Sequence, residues 1–113
     1  MGFQNKYKNR KFETDGILFD SKREAFRWQE LKTMQAAGII QGLKRQVKFE
    51  LLPYQKQFKE RGVQYVADFV YYENGVKIVE DVKGFRTKEY IIKRKLFRWL
   101  YCQDGKTEFR EVR

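Results

Sequence analysis

The sequence predicts a single domain of the mixed α/β (α+β) class, with a short hairpin at its N-terminal end. Its 113 residues match the usual length of one domain. Several stretches alternate apolar and polar residues with a period of two, as half-buried strands do, and two others have apolar residues at helical spacing. With 42% hydrophobic and 17% aromatic residues, the chain has enough apolar material to form a core.

Turn and capping signals divide the chain into elements. Asp15-Gly16 and Asn74-Gly75 supply the positive φ angles of tight hairpin turns, and Ser21 and Gly38 are typical of the two ends of a helix. We expect a basic flexible arm over 1–11 and one domain over 12–113. The first half of the domain should contain a hairpin of 12–14 and 17–19, a helix over 21–38, a connector over 39–46 and a strand over 47–51. An exposed loop over 54–64 should then lead to a hairpin of 65–72 and 76–82, a helix of about 14 residues after Thr87, and a strand over 107–112.

The second hairpin brings two carboxylates together. If Asn74-Gly75 is a two-residue loop, Asp68 lies directly across from Asp81, and Lys83 shares the face of Asp81. Like charges at that spacing destabilise a sheet unless something compensates, and a hard divalent cation would do so. The alternative is a slip or bulge that separates the two acids, and a shift of one residue would bring Glu80 to that face instead.

Glu24 has two interpretations. As the third residue after Ser21, it fits the carboxylate position of a capping box. It also lies on the same helical stripe as Trp28 and Leu31, which should face the sheet, so its carboxylate could reach a site there. The two interpretations are about even on the helical-wheel argument.

The charge balance predicts a polyanionic partner. Lys and Arg total 25 against 15 Asp and Glu, for a net charge of +10. The absence of histidine excludes catalysis by imidazole and metal sites that need an imidazole ligand. We expect the second helix to bury Ile92, Leu96 and Trp99, to turn Arg94 and Arg98 outward, and to keep Lys95 nearer the buried edge. The expected DNA contacts are Arg86, Lys88, Lys93, Arg94, Lys95 and Arg98, with Lys6, Lys8, Arg10 and Lys11 of the arm; the alternative is a solvated, basic helix face.

The only cysteine, Cys102, cannot form an internal disulfide, and no apolar run reaches the roughly 18 residues of a membrane span. No apolar signal-peptide core follows the first charged residues. We therefore expect no membrane contact and a cytoplasmic location.

The acids, the lysine and their setting resemble the PD-(D/E)XK nuclease superfamily, in particular small phage-encoded members related to Holliday junction resolvases. The one departure is Ala67, which stands where a proline is usual before the first Asp. The stretches that carry the resemblance are residues 19–25, 43–47, 67–69 and 80–84.

The resemblance implies a restriction-endonuclease-like fold, with a mixed four-stranded β-sheet flanked by helices. It implies hydrolysis of DNA phosphodiesters with Mg²⁺, for which Mn²⁺ can substitute. The substrates it implies are branched recombination or replication intermediates in a bacterial host cytoplasm. In this reading Asp68 and Asp81 bind metal with Glu24 and the Val82 backbone carbonyl, while Lys83 positions or activates the attacking water.

Three questions stay open at this stage. Gln46 could reach the site or be a connector amide. A resolvase that cuts both strands of a junction normally acts as a two-fold homodimer, so a homodimer is one expectation. The alternative functions are a catalytically silent nucleic-acid-binding domain and an accessory protein of a phage replication or packaging complex.

Overall fold

The computed structural model describes residues 11–113. In this part of the chain, two helices and six strands follow one another in the expected order. Their bounds are β1 Phe12–Thr14, β2 Ile17–Phe19, α1 Lys22–Ala36, β3 Gln41–Leu52, β4 Val63–Glu73, β5 Val76–Val82, α2 Lys88–Tyr101 and β6 Thr107–Val112.

The larger sheet has four strands in the order β3-β4-β5-β6, and β1 and β2 form a separate hairpin. Neighbours are antiparallel except β5 and β6, which run parallel because α2 returns the chain to the same end of the sheet. This confirms the mixed four-stranded sheet. The register of the second hairpin is also confirmed, since Glu73 pairs with Val76 and the ladder continues to Phe69 opposite Glu80.

The two helices cover opposite faces of this sheet. On one face, Phe97 of α2 packs against Phe49 and Tyr65, with ring centroids 4.9 and 5.4 Å apart. On the other face, Leu31 of α1 belongs to a cluster that includes Phe69. Each core lies between one helix and one face of the sheet. Polar groups can therefore gather at the ends of the strands, which neither core covers.

The connector expected over 39–46 is mostly strand. β3 begins at Gln41, opposite Tyr72, and its pairing is irregular up to Lys44. Gly42 has a φ of +66° in this stretch, which explains why the apolar alternation is lost there although the backbone still pairs. β4 likewise begins at Val63, two residues before the expected start.

The expected buried face of α2 is wrong for Ile92 and Trp99, whereas Leu96 packs against the core as expected. Tyr90 and Phe97 are buried, whereas Ile92 and Trp99 are 58% and 68% exposed. Aromatic packing selects the orientation, because Phe97 fits against the rings of the sheet and the Tyr101 hydroxyl donates to the Glu50 carbonyl at 2.7 Å. The same rotation makes Arg94 half-buried and Lys95 exposed, the reverse of what the helical wheel predicted.

Of the expected basic arm, only Lys11 is among the described residues, and it forms an ion pair with Asp20. Lys6, Lys8 and Arg10 lie outside the described residues. Within residues 11–113, neither helix is long and apolar enough to cross a membrane.

Candidate active site

Three elements bring acidic side chains to one end of the sheet. Glu24 comes from the first turn of α1, Asp68 from β4, and Asp81 from β5, with Lys83 two residues further on. Glu24 and Asp81 are 8% and 1% exposed. Burial, followed by the charges of Asp81 and Glu24, raises the pKa of Asp68 to about 7. The three carboxylates predicted from the sequence are therefore close enough to repel one another.

The backbone ladder changes at Asp68. Regular pairing between β4 and β5 ends at Phe69 opposite Glu80, and the next available donor, the Val82 N–H, binds Asp68 Oδ2 at 2.8 Å. Asp68 and Asp81 thus stay neighbours, although at this position the Asp68 side chain, and not a backbone carbonyl, accepts the hydrogen bond from β5. The alternative in which a slip carries the two acids apart does not occur.

The site also lies where β3 and β4 exchange faces. Val47 and Ala67, which pair with each other, pack toward α2, whereas Leu43 and Phe69 pack toward α1. Between them, Gln46 has a φ of +53°, an uncommon value for a residue other than glycine. Such backbone costs of order 1–3 kcal/mol and is concentrated at functional sites.

Gln46 reaches the acidic cluster because of this backbone conformation. Its Nε2 lies 3.5 Å from Asp68 Oδ1, at the long limit of a hydrogen bond. The structure thus places Gln46 beside the site, in a strand. The positive φ that turns it there leaves no mark in the sequence, since the residue is a glutamine.

Asp81 has an orphaned oxygen. Lys83 Nζ lies 3.0 Å from Asp81 Oδ2 without the alignment of a hydrogen bond. Within the described part of the chain, Asp81 Oδ2 and the Tyr65 hydroxyl are both buried without a hydrogen-bond partner. Burial, followed by the charge of Asp81, raises the pKa of Tyr65. A buried carboxylate oxygen whose neighbouring ammonium is not aligned for a hydrogen bond has free coordinating capacity.

Lys83 is held by an aromatic ring as well as by Asp81. Its Nζ lies 4.5 Å from the centroid of the Tyr90 ring in α2. The Tyr90 hydroxyl donates to Glu111 Oε2 at 3.0 Å. Tyr65, Tyr90 and Glu111 were missed by sequence reasoning, which treated the tyrosines as core. No sequence signal marks Glu111, because its place beside β5 depends on the parallel pairing of β6.

Glu24 combines features of both interpretations. The Ser21 hydroxyl accepts the Glu24 N–H at 3.1 Å, so Ser21 caps α1. Among the hydrogen bonds of residues 11–113, none joins the Glu24 carboxylate to Ser21. Burial first, then Asp20 and Asp81, raise the pKa of Glu24. The serine half of the capping box is present, and the carboxylate lies in the electrostatic field of the site.

Glu80 takes no part in this cluster. It is fully buried on the α1 face, where Arg27 donates to both of its carboxylate oxygens at 2.6 and 2.9 Å. The Tyr71 hydroxyl donates to the same carboxylate at 2.6 Å. Glu80 is therefore paired in the core, as the confirmed register requires.

The donor set fits a hard divalent cation with few protein ligands. No group of three or more acidic or cysteine side chains in residues 11–113 is arranged tightly enough to surround a metal ion. Asp68 and Asp81 would supply two carboxylates, and Mg²⁺ usually completes such a pair with waters and substrate phosphates. The orphaned oxygen of Asp81 supports this fit. Direct coordination by Glu24 and by the Val82 carbonyl stays a prediction.

The expected DNA-binding cations fall into two groups. Arg86 makes two hydrogen bonds of 2.9 Å to Glu111, and Arg94 lies 3.6 Å from the same carboxylate, so both are committed within the fold. The first of these contacts lowers the pKa of Glu111 to about 2. Lys93 pairs with Glu89 on the helix surface. The remaining expected cations of this segment are exposed and form no ion pair within the described residues: Lys88, Lys95 and Arg98.

The fold and site define an α+β domain with buried carboxylates and a lysine at the end of a mixed sheet. Residues 4–112 match the family described as Protein of unknown function (DUF1064), and the chain belongs to that family. No curated protein and no solved structure match the chain.

Proposed function

We propose that this protein is a metal-dependent endodeoxyribonuclease that hydrolyses phosphodiester bonds in DNA. One observation carries the proposal: Glu24, Asp68, Asp81 and Lys83, which come from three different elements, meet at one end of the sheet. Folding alone gives no reason to crowd three acids there, since burial, followed by the charges of Asp81 and Glu24, raises the pKa of Asp68 to about 7. Binding of a cation is the simplest compensation.

The side chains suit this chemistry. When bound, Mg²⁺ or Mn²⁺ would lower the pKa of a water and neutralise charge on the phosphate, which a site without histidine must obtain from a metal. Asp68 and Asp81 would hold it. Lys83, fixed between Asp81 and the Tyr90 ring, would place a positive charge and a donor beside the attacking oxygen. Gln46 would orient Asp68 through its amide.

DNA is the proposed substrate because of the charge distribution. The net charge is +10, and Lys88, Lys95 and Arg98 extend an exposed basic surface from the segment that follows Lys83. Contacts of this kind bind the phosphate backbone without reading sequence. Branched recombination or replication intermediates are the proposed form of DNA, and the cytoplasm, where an unpaired Cys102 stays reduced, is the proposed location.

Cleavage of matched DNAs tests the proposal. The purified protein would be incubated with four-way, flap and linear DNAs of equal length, with Mg²⁺, Mn²⁺ or EDTA. We expect cleavage that requires the metal and falls at least 100-fold in Asp81→Asn. Asp104→Asn is the matched control, because it makes the same change at an exposed turn. Cleavage by Asp81→Asn at the wild-type rate would refute the proposal.

The same experiment separates the other candidate functions. A catalytically silent nucleic-acid-binding domain would bind these DNAs equally with and without divalent ions and would cleave none of them. An accessory protein of a phage complex would show no salt-dependent DNA affinity.

A homodimer is also part of the proposal, since two symmetric cuts normally need a two-fold assembly. The exposed apolar side chains of α2, Ile92, Trp99 and Leu100, are the surface to test. Light scattering should give twice the monomer mass for the wild type and the monomer mass for Trp99→Lys. A monomeric wild type would leave only nicking or end degradation by single subunits.

A further inference from the structure

A cavity of the described chain lies between α1 and the end of β6, near Lys83. Its volume is about 780 Å³, within the ~300–1,000 Å³ of small-molecule sites. Its lining includes Lys22, Arg23 and Phe26 from the first two turns of α1, and Val112 from β6. The function proposed for this cavity depends on these residues.

The cavity combines an exposed aromatic ring with free cations. Phe26 is 60% exposed, and Lys22 Nζ lies 5.5 Å from the centroid of its ring. Within residues 11–113, neither Lys22 nor Arg23 takes part in an ion pair. Residues 1–10 contain no acid that could neutralise them. Arg27 differs, because the buried Glu80 already binds it.

The wall of this cavity lies next to the candidate active site. Val112 accepts the Lys83 N–H at 2.8 Å, so one wall of the cavity is hydrogen-bonded to the strand end that carries the lysine. Arg23 Nη1 lies 3.8 Å from the position that a Cβ on Gly84 would take. Glu24, the next residue along α1, faces the acidic cluster. A polymer bound across Lys83 could therefore continue into this cavity.

We propose that this cavity binds an unpaired nucleotide of the DNA strand that is cut. The base would stack on Phe26, and Lys22 and Arg23 would contact the flanking phosphates. Aromatic faces with adjacent cations bind single strands in a sequence-independent way, whereas paired bases stay stacked in the duplex and cannot use such a ring. The inference rests on the proposed nuclease function and deepens it, because it assigns the substrate class: DNA with unpaired nucleotides next to the scissile bond.

Binding in EDTA tests the cavity without cleavage. Fluorescence anisotropy would measure the affinity of a labelled 12-nucleotide dT strand and of a 12-base-pair duplex. We expect Phe26→Ala to weaken single-strand binding about tenfold and duplex binding less than twofold, and Phe26→Trp to restore it. Arg23→Gln should reduce the salt slope for the single strand by about 0.7. Phe58→Ala is the matched control, because Phe58 is a similarly exposed phenylalanine on the β3–β4 loop.

Three results would overturn the inference: unchanged single-strand binding by Phe26→Ala, an equal loss for strand and duplex, or an equal loss in Phe58→Ala. Competition by polyglutamate as effective as by the dT strand would also overturn it, since charge alone would then explain binding. Mg²⁺-dependent cleavage with no Phe26 effect would remove this inference and leave the nuclease proposal. A Phe26-dependent strand preference without any cleavage would remove the nuclease proposal and leave a single-strand binding site.

Discussion

The carboxylate of Asp68 binds the backbone N–H of Val82 at 2.8 Å, in the place where the β4–β5 ladder would otherwise continue. A side chain that completes a sheet in this way is fixed in orientation, and here it is fixed beside the buried Asp81. The sheet thus holds two like charges together. Its own hydrogen bonding supplies part of the compensation, because the Val82 N–H lowers the pKa of Asp68 against the larger effect of burial.

Asp68→Asn should stabilise the metal-free protein. The asparagine oxygen can still accept the Val82 N–H, while the repulsion with Asp81 and Glu24 disappears. We expect a gain of about 1 kcal/mol, which corresponds to a rise in Tm of about 4–8 °C in EDTA. Mg²⁺ should raise the Tm of the wild type and leave that of Asp68→Asn unchanged. Thermal unfolding with and without Mg²⁺ measures both effects, and an equal Mg²⁺ shift in the two proteins would contradict them.

Glu111 should contribute stability that depends on pH. Hydrogen bonds from Arg86 lower its pKa from 4.5 to about 2, so its contribution is complete above about pH 4.5 and is lost as the pH falls toward 2. We expect Glu111→Gln to lower the free energy of unfolding by about 1–2 kcal/mol at pH 7 and to match the wild type near pH 2. Urea unfolding across this range is the measurement. Glu108→Gln, on the same strand, is the control, and a constant difference at all pH values would count against this role.

The buried Arg27–Glu80 pair should be costly to break on one side only. Glu80 is fully buried, so Arg27→Met would leave its charge without a cation and cost about 3–5 kcal/mol. Tyr71→Phe should cost about 1 kcal/mol, because it removes one hydrogen bond to the same carboxylate. The double variant Arg27→Met/Glu80→Leu should recover most of the loss. Denaturant unfolding of the four proteins tests this, and a double variant as unstable as Arg27→Met would disprove it.

The two groups of cations on and near α2 should behave differently toward DNA. Lys95 and Arg98 are exposed, so replacing either with Gln should lower the slope of log K against log salt by about 0.9 if it contacts a phosphate. Arg94 is bound to Glu111, so Arg94→Gln should reduce stability and leave that slope unchanged. Salt titrations of duplex binding, with unfolding curves beside them, separate the two effects. An equal change of slope in Arg94→Gln would contradict this, because it would show that Arg94 leaves Glu111 and contacts a phosphate when DNA binds.

Local signals in the sequence determined the two hairpins and the positions of the helices. Turn dipeptides at Asp15-Gly16 and Asn74-Gly75 fixed both hairpins, and the second of them fixed the register that makes Asp68 and Asp81 neighbours. Such turns act over a few residues, so their consequences can be counted along the chain. The start of α1 followed from the cap at Ser21 for the same reason, and the extent of α2 followed from apolar residues at helical spacing.

Only the tertiary structure decided which faces are buried and which charges are free. The face of α2 was set by the fit of Phe97 to rings 32 and 48 residues earlier, Tyr65 and Phe49, and a helical wheel cannot register partners at that distance. The parallel pairing of β6 brought Glu111 to Arg86 and engaged that exposed cation in an ion pair. The positive φ of Gln46 arises where β3 and β4 exchange faces, next to the site that holds the orphaned oxygen of Asp81, and no local residue pattern encodes that position.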